Sequence, residues 1–173
     1  ASIFDEQIRT SVPAKTNRSH LNSLIAGLEK PRQQHASDFH AVLRNLAENL
    51  PRRGFVIIFS DLFGDRNALC KGLQLLRQRG HDVAICHILD DDEIDFPFDG
   101  PTRFEGLETG GEISCSPRAL RNGYIQAMEN FLAEVRNRSA ASQCDYQLAR
   151  TSHAVDKTLV NFLSRRSRIR GRS

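Results

Sequence analysis

The chain has 173 residues, 39% hydrophobic and 26% charged, with a formal net charge of +3. That length suits one domain that buries most of its surface, and the composition is too apolar for wholesale disorder. With no run of about 18 apolar residues and no charged segment leading into an apolar stretch at the N-terminus, the sequence predicts a cytoplasmic protein without signal peptide or membrane span.

The basic excess is local. Arg165, Arg166, Arg168, Arg170 and Arg172 lie in the last nine positions, and removing those five from the 24 basic residues leaves 19 against 21 acidic ones. Residues 165–173 are therefore expected to be a basic tail on a body spanning 1–164. Such a run can contact phosphates, but no aromatic residues are interleaved with it, so nucleic-acid binding is not expected. Cys70, Cys86, Cys115 and Cys144 stand far apart without a C-x-x-C pair, which predicts reduced thiols rather than a zinc or redox site.

In chain order, Leu21, Leu24, Ile25 and Leu28 fall at helical spacing between Ser19 and Glu29 and predict one apolar stripe. A second helix is expected from about Ser37 to Leu50, carrying Phe39, Val42, Leu43 and Leu46 and ended by Pro51 and Gly54. FVIIF at Phe55 to Phe59 is apolar at every position, as in a central parallel strand covered on both faces. Asp65 can cap the next helix, whose Leu69, Leu73 and Leu76 turn inward until Gly80. His81 to Leu89 reads as a second buried strand, so a right-handed crossover and a parallel sheet follow.

Thr102 to Leu107 and Glu112 to Cys115 flank Thr109, Gly110 and Gly111 and predict a hairpin. Ser116 and Pro117 open a long helix with Leu120, Tyr124, Met128, Phe131, Leu132 and Val135 on one face. Tyr146 to Ala149 forms a short last strand and Ala154 to Arg165 a closing helix. The fold class is α/β: a mostly parallel sheet with helices on both faces, plus a hairpin insertion.

RRGFVIIFSDLFGD at Arg52 to Asp65, RQRGHDVAICHILDDDEIDFPFDGPTRFEGLETG at Arg77 to Gly110 and SPRAL at Ser116 resemble the domain-of-unknown-function 58 family. The similarity runs from IFDEQIR at Ile3 to LSRRSR at Leu163. That bacterial family is regarded as a relative of von Willebrand factor A domains and is often encoded near MoxR-type AAA+ ATPases. The resemblance implies a site at the C-terminal ends of the strands, where such domains hold a metal ion with a D-x-S-x-S loop, a Thr and a later Asp. Asp61 matches that last Asp, and Thr16, or Ser19 less well, falls where the hydroxyl is expected. No D-x-S-x-S loop is present; ASIFDEQ corresponds to part of the second strand. The sheet is therefore expected to lack its central first strand, and Mg²⁺ to bind only to a more complete protein, because Asp61 and one hydroxyl leave most of an octahedral shell unfilled.

Simpler readings stand beside these. Asp61 can cap a loop, and the run Asp90, Asp91, Asp92, Glu93 and Asp95 lacks EF-hand spacing and reads as a solvated loop. His35, Asp38 and His40 do not share a helix face, and Asp38 reads as a cap. His20, His81, His87 and His153 are isolated, and no nucleophile elbow occurs, so no enzyme active site is expected. Two functions remain: a protein-interaction module of von Willebrand factor A type, with a MoxR-type ATPase or its client as partner, or a flavodoxin-like or receiver-like switch or enzyme with an acidic pocket at Asp61 and Asp90.

Overall fold

The computed structural model describes residues 1–5, 8–13, 19–29, 38–51, 53–105 and 111–170. The chain begins with strands β1 (Ser2–Phe4) and β2 (Ile8–Ser11) and helices α1 (Ser19–Leu28) and α2 (Phe39–Asn49). Strand β3 (Phe55–Ser60), helix α3 (Arg66–Gln78), strand β4 (Asp82–Leu89) and the short helix α4 (Asp91–Asp95) follow. Strands β5 (Thr102–Glu105) and β6 (Glu112–Cys115), helix α5 (Pro117–Ala141), strand β7 (Asp145–Arg150) and helix α6 (Val155–Arg170) complete it.

The expected strand–helix–strand unit with parallel strands is present. β3 and β4 are parallel in the register Phe55 to Asp82 through Ser60 to His87, and β7 joins the far side of β4, also parallel. Strand order in this sheet is β3-β4-β7, with the β1–β2 and β5–β6 antiparallel pairs standing apart from it. This is the α/β class expected from the sequence: a parallel sheet with helices beside it and a separate hairpin. One turn at the N-terminus escaped the sequence reading, which took ASIFDEQ as part of a single strand. Ile8–Ser11 turns back on Ser2–Phe4 as its partner.

Local chemistry sets the helix starts. The Asp65 carboxylate accepts from the Asn67 and Ala68 amides, and Asp38 accepts from Ala41, so both expected caps form. The two amides hold the Asp65 pKa below its ordinary value. Gly80 ends the α3 turn at φ +84°, a conformation few other residues adopt without strain.

One face of the sheet is thoroughly covered. Ile58, Val83 and Ile85 meet Phe39, Leu43, Leu69 and Leu73 from α2 and α3 and Val135 from α5 in a single core. The opposite face receives α6, whose Arg166 lies 3.9 Å above the Phe55 ring and pairs with Asp82 and Asp145. Helices therefore flank both faces, but unequally.

That inequality corrects the reading of β3. FVIIF is not covered on both sides: Val56 and Ile58 enter the core, whereas Phe55, Ile57 and Phe59 are exposed, Phe59 to 61%. On α1, Leu21, Ile25 and Leu28 of the expected stripe are exposed and Leu24 is partly buried. On α5, Met128 and Val135 are buried but Leu120 is half open. Periodicity fixes which residues share a face; it says nothing about whether another element reaches that face.

Two further segments differ from expectation. The acidic run at Asp90 is not a solvated loop but α4, closed at its start by a capping box between Asp90 and Glu93. The basic run is not wholly a tail, because α6 continues through residues 165–170 and Arg166 docks on the sheet. The expected hairpin forms between Thr102–Glu105 and Glu112–Cys115; its turn, residues 106–110, lies outside the described residues. Phe96, at φ 45°, stacks on Tyr124 and Phe104 and fastens this hairpin to α5.

The α2–α3 contact depends on one glycine. A Cβ built on Gly72 would sit 2.6 Å from both Cβ and Cδ1 of Leu43. Gly72→Ala is expected to cost about 1–3 kcal/mol through overpacking, despite the better helix propensity of Ala. Urea denaturation checks this, and adding Leu43→Ala should make the pair of changes clearly non-additive, because both act on one contact.

Candidate functional site at the C-terminal edge of the sheet

Parallel strands deliver their following loops to one edge, so the turn after β3 and the turns after β4 and β7 emerge together there. After β3 the chain turns sharply: Leu62 is buried at φ 58°, and Ser60 Oγ accepts from its amide at 3.0 Å. The Asp61 side chain is exposed, and its Oδ1 accepts from the Phe63 amide at 3.2 Å and from Ser60 Oγ at 3.4 Å. These bonds are a local turn of the Asx kind. They leave the second carboxylate oxygen available to a ligand.

The Asp61 turn is held from below by a residue the sequence reading took as isolated. His87, fully buried on β4, places Nε2 2.7 Å from the Asp61 carbonyl and Nδ1 2.8 Å from the Tyr146 hydroxyl. A carbonyl only accepts, so Nε2 carries the proton and Nδ1 accepts from Tyr146. The imidazole is thus a neutral bridge between the β3 turn and β7. Burial is the main cause that pushes the His87 pKa down, opposed by the Asp61 carbonyl and carboxylate. Burial likewise pushes the Tyr146 hydroxyl up to about 12. Phe131 of α5 packs edge-on against His87 and stacks on Phe63, so one aromatic column supports the whole turn.

At the ends of β4 and β7 a separate polar cluster forms. Arg150 pairs with Asp91 and Asp95, and Thr151 donates to Asp90. The Thr151 hydroxyl, followed by the Asp92 amide, lowers the Asp90 pKa. Asp90 and Asp91 are held as ions by the donors around them, whereas a catalytic acid needs a raised pKa. No signal short of the fold could have paired Arg150 with acids 59 and 55 positions away.

The residues singled out from the sequence are therefore dispersed. Asp61 sits on the β3 turn, while Asp90 is committed to the α4 cap and Thr151. Thr16 lies outside the described residues, as does the Ser19 side chain. Among the described residues no group of three or more His, Cys, Asp or Glu is placed to hold a metal ion. Asp61 with the neighbouring Ser60 hydroxyl does not amount to the donor set that Mg²⁺ requires, so these residues alone do not fit the metal. Among the described residues no helix is long and apolar enough to cross a membrane.

Comparison with known proteins bears on the same stretch. The family model described as "Protein of unknown function DUF58" matches residues 1–133, and the chain belongs to that family. Among solved structures, the chain is similar to the conserved hypothetical protein BatB from Bacteroides thetaiotaomicron. The identity is 13% and the TM-score 0.44, over 87% of this chain and 68% of that one. No curated protein matches the sequence.

The His87 bridge carries a pH signature. Its folded pKa lies below the unfolded value of about 6.5, so the unfolded chain takes up the proton first. The stability due to neutral His87 is complete above about pH 6.5 and is lost as pH falls from there toward the lower folded value. Urea midpoints at pH 7.5, 6.5 and 5.5 should fall more steeply in the parent than in His87→Gln; parallel profiles would remove His87 as the source. Tyr146→Phe, which deletes one donor to His87, should cost about 1 kcal/mol at neutral pH.

Proposed function

We propose that the chain is a protein-interaction module of von Willebrand factor A type rather than an enzyme, working in the bacterial cytoplasm with a MoxR-type AAA+ ATPase or one of its clients. One observation supports this reading. The outward face of β3 presents Phe55, Ile57 and Phe59, all exposed, and Phe63 stands exposed on the turn beyond them. Fully covering a side chain of this kind contributes about 1.5–3 kcal/mol, so a partner that lies across this face gains from it. Contiguous apolar surface beside polar turns is what interaction sites present. The MoxR-type ATPase is the first partner to try because genes of this family often lie beside those ATPases.

Phe59→Glu changes an exposed residue and should leave the fold intact. It is expected to weaken binding of a MoxR-type ATPase at least tenfold by biolayer interferometry, about 1.4 kcal/mol or more. Binding as tight as the parent's would show that this face is not the one used.

The same reading assigns Mg²⁺ to a longer form of the protein, in which a strand carrying a D-x-S-x-S loop lies along the open edge of β3 and Asp61 adds one carboxylate. A ligand bound only by the folded state raises its stability. The melting temperature of the extended protein should therefore rise with Mg²⁺ and that of its Asp61→Ala variant should not. An equal response in both, or none in the parent, would leave interaction without a metal.

A further inference from the structure

The other edge of the sheet, at β7, pairs with no further strand among the described residues and lies in a groove. The groove holds about 450 Å³ and runs between α5 and α6, with Arg136 and Ala140 on one wall and Phe162 and Arg166 on the other. Its floor is the strand itself, from Asp145 to Leu148.

Strand geometry tells which backbone groups face into it. β7 bonds to β4 on one side only. The Thr151 amide, just past the strand, donates to Leu89 of β4, and backbone groups alternate along a strand. The odd-numbered residues of β7 therefore turn their N–H and C=O toward β4, and Tyr146 and Leu148 turn theirs into the groove. One of these groups already has a substitute partner: the Gln147 side-chain amide donates to the Leu148 carbonyl at 2.8 Å. A flexible side chain filling the place of a neighbouring strand is readily displaced by one.

The two arginines of the walls differ in charge balance. Arg166 is saturated by Asp82 and Asp145. Arg136 is exposed and lies 5.9 Å over the Tyr146 ring, and among the described residues no carboxylate pairs with it. The groove therefore offers a strand edge, two helical walls and one unmatched positive charge.

We propose that this groove binds an extended peptide segment of a protein partner, which adds to β7 as a further strand and places an acidic side chain against Arg136. Backbone pairing to Tyr146 and Leu148 holds the segment, and the Arg136 guanidinium selects its charge. This site is on the opposite edge of the sheet from β3, and it does not depend on the reading of that face.

The test uses the whole chain and a phage-displayed library of random nine-residue peptides. Selected peptides should share an acidic position, shift the backbone amide resonances of Tyr146 and Leu148, and protect both amides from hydrogen exchange. Arg136→Glu, an exposed change, should weaken them at least tenfold and turn a second selection toward Lys or Arg. N-methylation of the peptide backbone should abolish binding. Failure to select any peptide overturns the proposal, as do peptides that leave those two amides unmoved or an Arg136→Glu chain that binds them unchanged. It is also overturned if, without peptide, the two amides become protected as protein concentration rises, because the occupant is then a second copy of the chain.

Discussion

The structure hangs on β4. Among the described residues it is the strand of the main sheet with a partner on each side, and Val83, Ala84, Ile85 and His87 along it are all fully buried. Parallel pairing to β3 and β7 requires long crossovers, and those crossovers are the helices that cover the sheet. α3 returns the chain from β3 to β4. The stretch from β4 to β7 carries α4, the hairpin and α5 before it closes. Burial of Val83 and Ile85 against α2, α3 and α5 is thus the same event as the formation of the sheet.

A second consequence of this arrangement is the difference between the two faces. Three helices share the core side, where Gly72 lets α2 and α3 approach closely. On the other side, among the described residues, lies α6, joined by Arg166 through two carboxylates and the Phe55 ring. A guanidinium suits this position because its flat face stacks on the ring while its edge donates to both acids. Beyond the reach of α6, the apolar side chains of β3 stay in contact with solvent. The β1–β2 pair, which touches the core through Phe4 and Phe39, does not extend the sheet to cover them.

At the C-terminal edge the polar groups bond both within their own turns and across the chain. Asp61 bonds to its own turn, Asp90 caps α4, and Arg150 gathers the acids of α4. His87 is a further long-range link, tying the β3 turn to β7 through one buried ring with a partner on each nitrogen. That ring fixes where Asp61 stands without adding a charge to the interior. A buried group satisfied in this way specifies one arrangement of the turn, because any shift would leave a polar atom unpaired.

The amino-acid sequence by itself determined the elements whose signals are local. The caps at Asp38 and Asp65, the stop at Gly80, the strand–helix–strand unit and the hairpin flanking Gly110 all follow from neighbours within a few positions, and so did the family. The tertiary structure alone decided which apolar faces are covered. Phe55, Ile57 and Phe59 have the same character as Val56 and Ile58, and only the placement of other helices separates exposed from buried. It also decided the partners of His87, Arg150 and Arg166, which lie 21 to 84 positions away in the chain. Local pattern records how a residue is turned on its own helix or strand, and long-range pairing depends on how those elements meet, so the candidate site was legible only as Asp61 at the end of a strand.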